Sequence, residues 1–190
     1  MRATQSHHAG RDAGFSLIEL MVALSLLGII GGMAVVSVQG ALTTARGDTA
    51  AHQVASVLRL GRDTAIAQRR RVDVVFVQPN RVQLVRNNLP NGTTLITDVA
   101  LENGAIFQLD PSLPEAEPGF GRSAAIDFAN AAVVRFMPDG TLSDGASVPI
   151  NGTVYLGMPG QKLGARAVTV TGTTARSQPY RWTGSRWEAL

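Results

Sequence analysis

The sequence predicts an α+β chain, one long N-terminal helix followed by antiparallel β structure. Three observations predict it. Residues 14–38, GFSLIELMVALSLLGIIGGMAVVSV, are almost unbrokenly apolar, with Glu19 as their one charge. Residues 41–71 keep helical spacing while hydrophobicity falls. Beyond residue 71, short β-branched runs alternate with Gly, Pro and Asn turns. Composition agrees, since 20 Gly and 9 Pro in 190 residues, with 5% aromatics, suit short strands and many turns better than a helical bundle.

Residues 1–14, MRATQSHHAGRDAG, are polar, carry Arg2 and Arg11 and end in a small residue, so they read as a leader. Residues 15–38 follow as a membrane segment. At 1.5 Å per residue they make a helix of roughly 36 Å, enough to cross a hydrocarbon core of about 30 Å. The positive flank of a first span tends to stay in the cytoplasm, which places the chain beyond residue 40 on the outer side. Arg46 and Asp12 weaken that bias. Two other readings of the run are a plain uncleaved anchor and a secretory signal cut at Val38-Gln39-Gly40. The run is longer than a signal's usual apolar region.

Residues 39–71 continue the helix as an amphipathic segment. Val54, Leu58, Gly61 and Ala65 recur at spacings of four, three and four, with Val57 beside them, while Arg59, Arg62, Asp63, Arg69 and Arg70 fall largely elsewhere around the wheel. The apolar stripe is expected to lie on the domain that follows. Arg69 to Arg71 suit a helix C-terminus, where carbonyl dipoles attract cations, and a dedicated binding patch is the other reading.

Residues 72–190 form the β-rich head. Val72–Gln78 and Arg81–Arg86 read as a hairpin about Pro79-Asn80. Further strands are expected at 93–98, 105–109, 124–128, 133–137, 148–150, 153–156 and 165–171. Residues 111–121 form a loop with three prolines. The last residues, PYRWTGSRWEAL, make a small hairpin about Thr183-Gly184.

With these elements in place, Gly14-Phe15-Ser16-Leu17-Ile18-Glu19-Leu20 resembles the processing site of the type IV pilin and type II secretion pseudopilin superfamily. That resemblance implies cleavage between Gly14 and Phe15 by a prepilin peptidase, N-methylation of Phe15, and storage in inner-membrane lipid before assembly with other pseudopilins or pilins. It also implies a pilin-like fold, with a β-sandwich-like head in the periplasm and the N-terminus in the cytoplasm. The segments LRLGRDTAIAQRRRVDVVFV, RFMPDGTLSDG and ARAVTVTGTTAR look like the H-type minor pseudopilins, grouped with FimT-like minor pilins. Such proteins sit near a filament tip and help to start assembly.

A carboxylate deep in an apolar segment costs about 2.5 to 3.5 kcal/mol on insertion scales, less near an interface. Glu19 therefore needs a reason. A neighbouring subunit's amine at Phe15, freed by cleavage, supplies an opposite charge that sets the register of packed helices. The alternative is a glutamate that merely reaches the headgroups. Gly28, Gly31 and Gly32 permit either close helix packing or a loosened helix.

Little points to catalysis. No cysteine is present, which removes disulfides and thiolate metal sites. His7 and His8 belong to the leader, and His52 has no second ligand one turn on. Asp139 and Asp144 around Gly140 match turn chemistry better than a calcium template. No cofactor is expected. The net charge of +3 is not that of a general nucleic-acid binder. DNA is the partner only in a second reading, a FimT-like minor type IV pilin serving adhesion, motility or DNA uptake. There the candidate contacts are Arg176, Arg181 and Arg186 with Trp182 and Trp187, beside Lys162, Arg166 and Tyr180. The Gly-Arg-x-Arg pattern of DNA-uptake pilins is missing, since Gly172 is followed by Thr-Thr-Ala. The other reading is aromatics packing the last hairpin with arginines solvated around them.

Overall fold

A computed structural model describes residues 16–131 and 133–190, the side chains of 33–39 excepted. The leader 1–14, Gly14 and Phe15 lie outside the described residues. The chain divides into two units, residues 1–40 and 41–190. Helix α1 (Leu17–Gln68) begins in the first and ends in the second.

In the first unit the helix starts at a cap that the sequence encodes. The Glu19 N–H donates to Ser16 Oγ at 3.2 Å, so Ser16-Leu17-Ile18-Glu19 has the spacing of a capping box with Glu19 at its third position. Beyond it, apolar side chains stand bare on every side of the helix, from Leu17 at 79% exposed to Ile30 at 64%. Ser25 returns its hydroxyl to the Met21 carbonyl at 2.8 Å, which hides its polarity within the helix. Among the described residues no helix is long and apolar enough to cross a membrane.

In the second unit α1 buries Val54, Val57, Leu58 and Ala65 of the stripe expected from the spacing, and also Ala50 and Ala51 one turn before it. Gly61 belongs to it for a steric reason. A Cβ there would stand 2.9 Å from the Phe136 ring and 3.0 Å from Leu84 Cδ2, so only glycine lets the helix lie this close to the sheet. The helix ends at Gln68, three residues before the expected Arg71, because Arg69 takes a left-handed φ of 50° and stops the helical ladder.

Two antiparallel sheets share one core with α1. The first has the order β3-β2-β1-β6-β7, from β1 (Val72–Val77), β2 (Arg81–Asn87), β3 (Thr93–Ala100), β6 (Val134–Phe136) and β7 (Leu142–Ser143). The second has the order β11-β10-β9-β8-β4, from β4 (Ile106–Phe107), β8 (Gly152–Met158), β9 (Gln161–Val170), β10 (Ser177–Trp182) and β11 (Trp187–Ala189). Strand β5 (Ile126–Asp127) also pairs with β8. Alternation selects what is buried: Val72 and Val74 of β1 and Val82 and Leu84 of β2 point inward.

Both predicted hairpins form, with Val77 opposite Arg81 and Trp182 opposite Trp187. The strand expected at 148–150 does not. Pro149 has no N–H to give a ladder and makes only an isolated bridge to Ser143. The expected strands at 105–109, 124–128 and 133–137 shrink to two or three residues each.

Candidate functional site

Beyond the bare helix, chemistry gathers where the head helix meets β9 and β10. Arg166, in mid-β9, is fully buried. Its Nε donates to Asp48 Oδ1 at 2.7 Å, its NH1 to the carbonyls of Ala165 (2.8 Å) and Leu163 (2.9 Å), and its NH2 to the Thr44 carbonyl at 2.8 Å. Gly47 makes the space, since a Cβ there would stand 2.9 Å from Arg166 Cζ. Burial pushes the guanidinium pKa down and Asp48 opposes that shift, yet arginine remains charged at any working pH. Arg181 of β10 reaches the other Asp48 oxygen at 3.3 Å. One carboxylate thus ties α1 to two strands.

The long segment over the second sheet is held by polar staples. Glu115 Oε1 accepts the N–H groups of Phe120 (3.0 Å) and Gly121 (2.7 Å). Tyr155 donates its hydroxyl to the Gly121 carbonyl at 3.1 Å, and Thr153 donates to the Phe120 carbonyl at 3.1 Å. Glu117 Oε2 accepts both Tyr180 and Thr169 hydroxyls at 3.1 Å. Asp127 accepts the Ser123 N–H at 2.6 Å and its hydroxyl at 2.7 Å.

Both tyrosines of the chain stand in this network. Burial raises the pKa of each, helped by Glu115 beside Tyr155 and by Glu117 beside Tyr180. The folded state therefore keeps two protons that an unfolded chain releases near pH 10. The stability this contributes is intact below about pH 10 and is lost as pH rises through the folded pKa values. Tyrosinate absorbance during a base titration checks it: the folded chain should titrate above about 10 and drop to about 10 in denaturant. Identical midpoints in both states would contradict the network.

The five candidate nucleic-acid contacts do not share one surface. Trp182 is only 9% exposed and packs edge-on to Trp187 at 5.4 Å, while Trp187 Nε1 donates to the Pro114 carbonyl at 2.9 Å. Arg181 is paired with Asp48, and Arg186 with Glu188 at 2.7 Å. Arg176 lies apart, on a polar groove of about 800 Å³ that His52, Arg59 and Arg62 also line. Sequence reasoning missed Asp48 and the burial of Arg166. The one local hint was Gly47-Asp48 inside a helical stretch.

Asp139 and Asp144 hold their own turns. Asp139 Oδ1 accepts the Thr141 N–H (2.9 Å) and hydroxyl (2.8 Å), which lowers its pKa, and Asp144 Oδ1 accepts the N–H groups of Ala146 and Val148 at 2.9 Å. Among the described residues no three His, Asp or Glu side chains gather to hold a metal.

Comparison with known proteins gives two family matches. The prokaryotic N-terminal methylation motif matches residues 10–35, and the model of type II transport protein GspH matches residues 50–175. Among solved structures, the minor pseudopilin EpsH from the Type 2 Secretion System of Vibrio cholerae is similar at 17% identity. That match covers 76% of this chain and 96% of that chain, with a TM-score of 0.44. No curated protein matches the chain significantly.

Proposed function

The chain belongs to the type II transport protein GspH family, and we propose that it is a minor pseudopilin at or near the tip of the periplasmic pseudopilus that assists protein export across the outer membrane. One observation carries this reading: the first unit offers a helix whose apolar side chains are bare all round, behind a methylation motif. Such a surface is stable only in lipid or among neighbouring helices, and a filament subunit uses both in turn. In this reading residues 15–38 cross the inner membrane once, with the N-terminus cytoplasmic and the head in the periplasm. Prepilin peptidase cuts after Gly14, Phe15 is methylated, and Glu19 meets the amine of Phe15 on an adjacent subunit.

Gly28, Gly31 and Gly32 support close packing in the bundle. A Cβ at any of them would meet nothing within 4 Å, so no contact inside the chain requires glycine there. They leave room for a neighbouring helix.

The head supplies a rigid body for subunit contacts. Its pairing of Arg181 and Arg186 with carboxylates, and its burial of Trp182, favour export over DNA uptake. In a host carrying both machines, deletion should abolish exoenzyme secretion and leave twitching and transformation intact. Lost transformation with normal secretion would overturn this choice.

A further inference from the structure

At the far end of α1 lies a cleft of about 410 Å³ lined by Arg69, Arg70, Arg71, Arg135, Asn87, Leu89 and Pro138. Nothing in the secretion reading assigns it a role. Four cations meet there because the chain passes from the end of α1 into β1 within three residues, all arginine, and β6 brings Arg135 beside β1. Arg135 is engaged by Asp73, through a pair formed directly across the β1–β6 register. Arg69, Arg70 and Arg71 form no ion pair among the described residues. The neighbouring Arg86 is held by neutral partners, Gln68 Oε1 at 2.7 Å and Asn88 Oδ1 at 3.0 Å.

Two further features point to an occupant. The Asn87 N–H donates to the Arg71 carbonyl at 2.9 Å, which sets Asn87 next to the cations, and its side-chain Nδ2 is out of solvent without an acceptor. Leu89, 73% exposed, lines the same cleft, as does Pro138. The cleft therefore offers several cations, one unsatisfied amide donor and an apolar edge, with no acid in its lining. A helix C-terminus alone repels anions, and three adjacent arginines reverse that sign.

We propose that this cleft receives an acidic segment of a protein partner, with carboxylates on Arg69, Arg70 and Arg71 and an adjacent apolar side chain against Leu89 and Pro138. Nucleic acid fits less well. No aromatic lines the cleft for base stacking, and a duplex has no apolar side chain to place on Leu89. Arginine's planar fork is suited to bidentate contact with carboxylate.

The surface is independent of the machine the subunit serves, so the test uses the full chain in non-ionic detergent. The probe is a labelled Glu-Leu-Glu-Glu peptide, with Gln-Leu-Gln-Gln, single-stranded DNA and anionic phospholipid vesicles as comparisons. Arg69→Gln with Arg71→Gln should weaken acidic-peptide binding about tenfold, while Arg59→Gln with Arg176→Gln, on the separate groove, should leave it unchanged. Both changed arginines are exposed, so an unchanged thermal midpoint is expected in the variant. On the unmodified chain, affinity should fall as salt rises from low to physiological strength. The proposal is overturned by an affinity that the variant retains, by salt-independent binding, by equal binding of the glutamine peptide, or by no binding of the acidic peptide. DNA or vesicles binding more tightly than the peptide through the same arginines would also overturn it.

Discussion

Replacing Asp48 with alanine is expected to destabilise the head by about 3 kcal/mol, the low end for breaking a buried ion pair because Asp48 keeps some exposure. The loss arises less from the missing attraction than from what remains. Arg166 is fully buried and cannot shed its proton, so its Nε is left without an acceptor in low dielectric. The carbonyls of Thr44, Leu163 and Ala165 still hold NH1 and NH2, which keeps the loss below that of a wholly orphaned charge. Arg181 loses its partner too, but it is a third exposed and water compensates it. Asp48→Leu combined with Arg166→Met should regain most of the stability, because apolar pairs of similar volume often replace buried ion pairs at little cost. Chemical denaturation of the four proteins in this cycle measures the coupling. Additive single effects would show that the pair does not act as a unit.

Glu19→Gln should insert and be processed normally yet reduce assembled subunit at least about tenfold, since in the proposed filament the Phe15 amine of a neighbour would then lie in an apolar bundle without a counter-charge. The structure makes this substitution a clean test. Glu19 has the third-position spacing of a capping box, which Gln suits as well as Glu, and its backbone N–H still reaches Ser16 Oγ. The helix start is kept while the charge is removed. Ser16→Ala is the complementary control, expected to fray the start by about 1 kcal/mol with little effect on assembly. Shearing filaments from cells and blotting them for the subunit reads both. Normal assembly of the glutamine variant would remove the charge-pair argument.

Local features were legible in the sequence, and long-range ones were not. The apolar run, the stripe through Val54, Leu58 and Ala65, and the hairpins about Pro79-Asn80 and Thr183-Gly184 each follow from spacing or turn chemistry within a few residues. The strand expected at 148–150 fails at Pro149, whose missing N–H outweighs the β-branched habit of Val148 and Ile150. Among residues 162–190 the arginines have only one acid, Glu188, close in sequence. Their partners include Asp48, which lies 118 residues from Arg166 in sequence. Glu117 likewise meets Tyr180 across 63 residues. No periodicity records such pairs, because the fold alone brings them together. Gly61 was visible as a member of the stripe, but its closeness to Phe136 was not.

The intact mass of the subunit isolated from membranes reads whether residues 15–38 stay on the processed pseudopilin as membrane anchor and filament spine. The proposed processing gives a chain beginning at Phe15 with one added methyl group, and a chain that keeps residues 1–14 when prepilin peptidase is absent. A mature chain beginning after Gly40, with the apolar helix removed, would contradict it.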